Sequence, residues 1–407
     1  ADGADGAQGP AGADGADGPQ GPQGPQGPQG PTGFISAEGT NYSDYIYWNT
    51  GSSSWSVGSD PVHIGKNAGA LSSPESAYFS VAIGNQAGYQ DQQPASVAIG
   101  YHAGAFVGTG GTGQMSGAIA IGEEAGSTGQ EQSAVAIGKF AGQTYQRGRS
   151  VAVGHWAGAT NQSAAAVAMG WFAGGNNQGT GAVALGWDAG YDGQGAYAIA
   201  LGQEVGRTSQ GTYAIAQGYQ AGYDGQGTHA IAQGYQAGNN SQGTHAIALG
   251  ESAGQTSQGT RAIALGRYAG KTSQGTDAIA LGRQAGHTGQ GSSAIALGSE
   301  AGFTGQGTHA IAQGYNAGYD GQGTDAIALG RRAGNNSQGS NAIAQGYQAG
   351  NTSQGSNAIA LGKEAGYDGQ GTGAIALGQE AGYTGQGSNA IAQGYQAGYD
   401  GQGSIAI

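Results

Sequence analysis

The chain has 407 residues, of which 89 are Gly, none is Cys and only 9% are charged, with a formal net charge of −13. Twelve scattered Lys and Arg against that acidic balance exclude a phosphate-binding surface, and so a nucleic-acid partner. The lack of Cys excludes disulfides and thiolate metal sites, no apolar run approaches the ~20 residues that span a bilayer, and large aliphatic residues are too few for a conventional globular core.

From Ala1 to Gly33 every third residue is Gly, and Pro fills the X position of the later triplets. Glycine at strict period three is required where three polyproline-II strands meet at an axis with no room for a side chain. The tract 1–33 resembles collagen, which implies a triple-helical shaft of three chains, about 100 Å long at the ~3.1 Å rise of that helix. The segment 34–60 changes abruptly, to aromatic and β-branched residues at Tyr45–Trp48 and Trp55–Val57 around a turn at Asn49–Ser54. This pattern predicts a β-hairpin serving as cap or neck, since repeat folds need atypical ends.

From Pro61 to Ile407 the glycine that closes each A-I-A-L-G unit falls at Gly65, Gly84, Gly100 and Gly122, then every sixteen residues to Gly394. The period is regular from about residue 115, with consensus G-T-x-A-I-A-[LQ]-G-x-x-A-G-x-x-x-Q. Alternation within A-I-A-L has the period of a strand, and flanking glycines supply corners. One repeat is then one coil of an all-β parallel solenoid or β-roll of about 21 coils, stacked at ~4.8 Å into a rod about 100 Å long. Glycines predicted at corners include Gly218, Gly222, Gly250, Gly254, Gly266 and Gly270. Small Ala side chains fit the inside of a narrow roll, which turns Ile215, Gln217, Ile231, Gln233, Ile247, Leu249, Ile263 and Leu265 outward. An apolar stripe of that kind is an association surface. Together with the three-chain tract it predicts a parallel homotrimer whose seam these residues form, with end-to-end joining of trimers left open.

The units S-V-A-I-G at Ser80–Gly84 and Ser96–Gly100, S-V-A-V-G at Ser150–Gly154 and N-A-I-A-L-G at Asn357–Gly362 resemble the head repeats of the YadA-like trimeric autotransporter adhesins. The resemblance covers 61–407 and implies a left-handed parallel β-roll in a tight trimer on a bacterial outer surface. Several heads of that family bind matrix proteins through a motif resembling N-S-V-A-I-G-x-x-S; in this chain Ala390 and Ala397 stand where that motif has Ser. The order of shaft first and roll afterwards also resembles collagen-bearing fibres of viruses, phages and bacterial filaments.

Chemistry is hard to place on such a repeat. His229 and His245 share a column in successive coils, a conceivable metal pair, but the column continues as Arg261, Asp277 and Ser293, as an unconstrained solvent position would. No acid/base pair, metal site or cofactor site is predicted, and the chain reads as no enzyme. The Thr/Ser column through Thr212, Thr228, Thr244 and Thr260 suggests hydroxyls bonded along the stack. In five coils Gln replaces the strand's last Leu, and each of these has Tyr two residues on. The expected function is a structural or adhesive extracellular fibre, displayed on a cell or virion surface, with a host-surface or matrix ligand unidentified. The alternatives are a viral or phage receptor-binding fibre shaft and an ice-binding or matrix-binding solenoid. The missing initiator Met and the end partway into a repeat read as a processed or partial chain.

Overall fold

The computed structural model describes residues 9, 10, 12, 39, 44–49, 52–58, 62–70, 79–106 and 113–407. The collagen-like tract 1–33 lies outside the described residues apart from three isolated positions. Two compact units divide at residues 59 and 60.

In the first unit, β1 (Tyr45–Asn49) and β2 (Ser54–Gly58) form an antiparallel hairpin. Trp48 sits opposite Trp55 with the rings edge-to-face at 5.6 Å, an arrangement that the ring quadrupoles favour. Asn49 Oδ1 accepts the Ser52 amide at 3.2 Å and closes the turn.

The second unit is a parallel β-solenoid. Its main ladder holds 21 three-residue strands, from Val62–Ile64 to Ile391–Gln393, each paired in register with the equivalent residues of the next coil. Ile215 pairs with Ile231, Ala216 with Ala232 and Gln217 with Gln233, so every column of the sequence becomes a column in space. A second line of parallel pairing follows the opposite side, through Asp224–Gln226, Asn240–Gln242, Thr256–Gln258 and Thr272–Gln274, and continues to Asp400 through single bridges and the strand pair Asp320–Gln322 and Asn336–Gln338.

It is convenient to number each coil from its strand's first residue, so that Ile215 is position 1 and Ala230 position 16. Strand geometry sends position 2 inward and positions 1 and 3 outward. The inward Ala216, Ala232, Ala248 and Ala264 are fully buried, as are Ala221 and Ala230 at positions 7 and 16. Three methyl columns fill most of the roll, and nothing much larger fits. Val205 stands in the position 7 column, where the coils around it have Ala, and His63 takes position 2 in the first coil. Burial lowers the pKa of that imidazole.

The polypeptide turns at two corners per coil, and in most coils an i to i+3 hydrogen bond closes each of them. Ala237 N donates to Gly234 O, and Ala230 N donates to Gly227 O at 3.1 Å. The third residue of each turn is left-handed, yet it is seldom Gly: Gln220, Gln236, Arg261 and His245 have φ of 51°, 52°, 57° and 59°. Turns of this kind ordinarily take Gly or Asn there. The side-chain column at position 15, which reads as unconstrained in the sequence, is therefore constrained in backbone, and so is position 6. Their cost, roughly 1 kcal/mol per residue, is borne by the bonds on either side, since the next coil's amide fixes each carbonyl. His245 N donates to Thr228 O, and Gln236 N donates to Tyr219 O.

Candidate interaction surface

The corner glycines fall into two classes with different reasons for being Gly. At position 4, Gly218, Gly250 and Gly266 have φ near 127°, and a Cβ on Gly266 would stand 2.7 Å from the Gly282 carbonyl oxygen. These residues let adjacent backbones approach. At position 8, Gly222, Gly254 and Gly270 have φ near 51°, and a Cβ would meet the side chain of Gln226, Gln258 or Gln274 within 2.8 Å. These residues make room for a glutamine.

That glutamine, at position 12, is the functional residue type that sequence reasoning passed over. Gln130, Gln146, Gln162, Gln178, Gln194 and Gln210 all lie inside the roll, essentially inaccessible to water. Each Nε2 donates to the carbonyl of position 1 in its own coil and to the amide oxygen of the next glutamine. Gln258 is typical: Nε2 donates to Ile247 O at 2.8 Å, to Ala262 O at 3.2 Å and to Gln274 Oε1 at 3.1 Å, and Oε1 accepts from Gln242 at 3.1 Å. An amide would cost about 1–3 kcal/mol if buried unpaired, whereas here it is satisfied by groups that recur every coil. The ladder has interruptions: Gln242, Gln306 and Gln354 have an Oε1 without a donor. The signal is present in the sequence as the closing Gln of the consensus, four residues after the second glycine of the coil, but nothing in that spacing assigns it to the interior.

Filling the interior with Ala and Gln leaves the large aliphatic residues outside. Of the residues expected to form a seam, Ile215 and Leu265 are 38% and 40% exposed, while Ile231, Ile247, Leu249 and Ile263 are half-buried by their neighbours in the stack. Gln217 and Gln233 are exposed in the same stripe. Positions 1 and 3 are Val, Ile, Leu or Met in every strand except the five that end in Gln. The stripe thus follows the whole ladder and is interrupted at position 3 by those five Gln.

The other outward columns hold polar and aromatic side chains that pair or stack from coil to coil, as Trp171 does on Trp187 at 5.4 Å. Arg261 makes a two-pronged ion pair with Asp277 in the next coil, at 2.6 and 2.8 Å, and this hydrogen bonding lowers the Asp277 pKa. His229 and His245 lie with rings parallel at 5.0 Å, so their nitrogen lone pairs point side by side and do not converge on one ion. Among the described residues no group of three or more His, Cys, Asp or Glu is placed to hold a metal. The Thr212, Thr228 and Thr244 column is bridged by backbone bonds, and hydroxyl bonds between coils occur at position 10, where Thr208 donates to Asp224 at 2.7 Å. No helix among the described residues is long and apolar enough to cross a membrane.

No protein-family model matches the chain, and no curated protein or solved structure is significantly similar to it.

What the chain shows is the solenoid itself: about 20 parallel turns at a spacing of sixteen residues. Among the described residues its outer surface carries the apolar stripe of the main ladder and, in other columns, exposed aromatic side chains such as Trp171, Trp187, Tyr197 and Tyr213.

Proposed function

We propose that this protein is a structural and adhesive fibre subunit that assembles as a parallel homotrimer and works outside the cell or on a virion surface, giving reach, stiffness and repeated display. The observation that carries this reading is the Val/Ile/Leu stripe, which faces outward along the main ladder, half-buried in most coils and exposed at residues such as Ile137, Ile215, Leu265 and Leu281, because the interior is filled mainly by Ala and Gln. Contiguous apolar surface on this scale marks an interaction site, and burying it against copies of itself removes it from water at every coil. The number three comes from the Gly-X-Y triplets of 1–33, which resemble collagen and need three chains at one axis.

The resemblance of S-V-A-I-G and N-A-I-A-L-G units to YadA-like adhesin heads supports the same assembly, and it supports attachment as the role. Polar columns outside the seam, tied coil to coil by pairs such as Arg261–Asp277, would remain as the displayed surface.

Light scattering on the soluble protein tests the assembly. We expect three times the chain mass, independent of dilution over the micromolar range. A monomer with the circular dichroism of the folded protein would overturn the proposal.

A further inference from the structure

A chain of near-identical coils faces a problem when it associates with copies of itself. Sliding one chain by a coil keeps almost every apolar contact of the stripe and loses only the overhang. Repetition alone therefore does not choose an alignment.

The stripe is not perfectly repetitive. Counting the strand Val62–Ile64 as the first, position 3 is apolar in the first nine strands, then Gln in the tenth (Gln217), eleventh (Gln233), sixteenth (Gln313), eighteenth (Gln345) and twenty-first (Gln393). All five are exposed, and among the described residues none makes a side-chain hydrogen bond within its own chain. In each of these coils position 5 is Tyr, namely Tyr219, Tyr235, Tyr315, Tyr347 and Tyr395, and no coil ending in Leu has Tyr there. The five rings are 37–69% exposed. Tyr219 stacks on Tyr235 at 5.2 Å, and Arg331 lies between Tyr315 and Tyr347, within 6 Å of both centroids. Their hydroxyls, like the five amides, are not bonded within the chain.

We infer that these five coils form an aperiodic register code, which aligns identical chains at zero axial offset. The inference rests on the trimer reading above and names what orders it. Spacings of one, five, two and three strands are the reason. With no offset all five polar layers face polar layers. A slip of one coil matches only the tenth strand with the eleventh, and a slip of five matches two pairs. Every other slip matches at most one. Each unmatched layer sets an amide against Leu or Ile in a closing apolar seam, where it is without a partner, and this disfavours the slipped form by roughly tenfold per layer. Only a chain with the same marks in the same order satisfies all of them, so the partner that fits is a second copy of this chain. Buried polar residues fix alignment in coiled coils by the same penalty.

The chain contains no Cys, which makes the test direct. Leu249→Cys and Leu265→Cys place single thiols on the seam in adjacent coils of two separately tagged chains, which are co-expressed and mildly oxidised. In the otherwise native full-length chain, disulfides should join like variants, with mixed Leu249→Cys to Leu265→Cys links below about one-tenth of the total. In the background of Gln217→Leu, Gln233→Leu, Gln313→Leu, Gln345→Leu and Gln393→Leu, mixed links should rise to within about threefold of like links. If the fivefold variant fails to fold, Gln313→Leu with Gln345→Leu and Gln393→Leu keeps two adjacent marks, and one-coil slips should still increase.

Like links alone in a trimeric fivefold variant would overturn the register code and leave the trimer standing. Mixed links as abundant as like links in the native sequence would do the same. A monomer in light scattering would overturn both.

Discussion

Gln226 and Gln233 are seven residues apart, carry the same side chain and occupy opposite sides of one thin wall. Gln226 lies inside the roll, donating to Ile215 O at 2.8 Å and accepting from Gln210 at 3.1 Å. Gln233 lies outside, at the end of a strand, with its amide exposed. The difference shows that position in the coil sets the role of a residue here, and residue type does not. An amide is buried where backbone carbonyls return at every coil to receive it, and it interrupts an apolar surface where they do not.

The comparison presumes that coils stay stacked at fixed spacing, so the largest effect should come from breaking that spacing. Gly266→Val adds a branched side chain at φ 127° with a Cβ 2.7 Å from Gly282 O. Backbone strain and overpacking together should cost about 2–6 kcal/mol. Denaturant unfolding should show it, while Arg267→Val, one residue on at an exposed position, should be close to neutral.

The inner and outer glutamines can then be exchanged for a residue of similar bulk. Gln258→Leu leaves Ile247 O and Gln274 Oε1 without that donor and takes the acceptor from Gln242 Nε2. At about 1–3 kcal/mol for each of the two groups left without a donor it should loosen the adjacent coils by about 2–6 kcal/mol, read as faster amide hydrogen exchange around Ile247 and Ile263. Gln233→Leu removes no hydrogen bond of its own chain, and the same measurement should change by less than about 0.5 kcal/mol. Equal effects at the two sites would dissolve the distinction between them.

A smaller effect tests the left-handed turn positions, which lie at the rim between inside and outside. Ser252 has φ 52°, so Ser252→Gly relieves strain while adding freedom to the unfolded chain. The two effects oppose, and a net gain of no more than about 1 kcal/mol in thermal unfolding is expected. Destabilisation would mean that the side chain contributes more than the strain it imposes.

The smallest effect concerns pH. Burial, and secondarily the charge of Lys271, lower the His287 pKa. The folded state thus prefers neutral imidazole, and its contribution is complete above the unfolded value of about 6.5. It declines as pH falls from there through the folded pKa. An NMR titration should place the His287 midpoint below the unfolded value of about 6.5, and Lys271→Ala should move it upward. A midpoint at or above about 6.5 would remove the basis for this sign.

The fold was legible in the sequence to the extent that one column decides one thing. The sixteen-residue spacing of Gly218, Gly234 and Gly250 determined the coil, and alternation in Ala214–Gln217 determined which side of the strand is small. Gly at 266 could be read as a corner because few other residues tolerate that φ. Two features needed the tertiary structure. The polar column through Gln226, Gln242 and Gln258 reads as surface by any rule of residue burial, and it becomes interior only because closing the coil brings Ile215, Ile231 and Ile247 carbonyls within hydrogen-bond reach. Likewise, the variability of His245, Arg261 and Asp277 conceals a strict left-handed backbone, since their side chains point to water while their amides are held by the preceding coil. Local pattern specifies what a residue is next to along the chain, and stacking decides what it is next to sixteen residues later, where the hydrogen bonds of this protein are made.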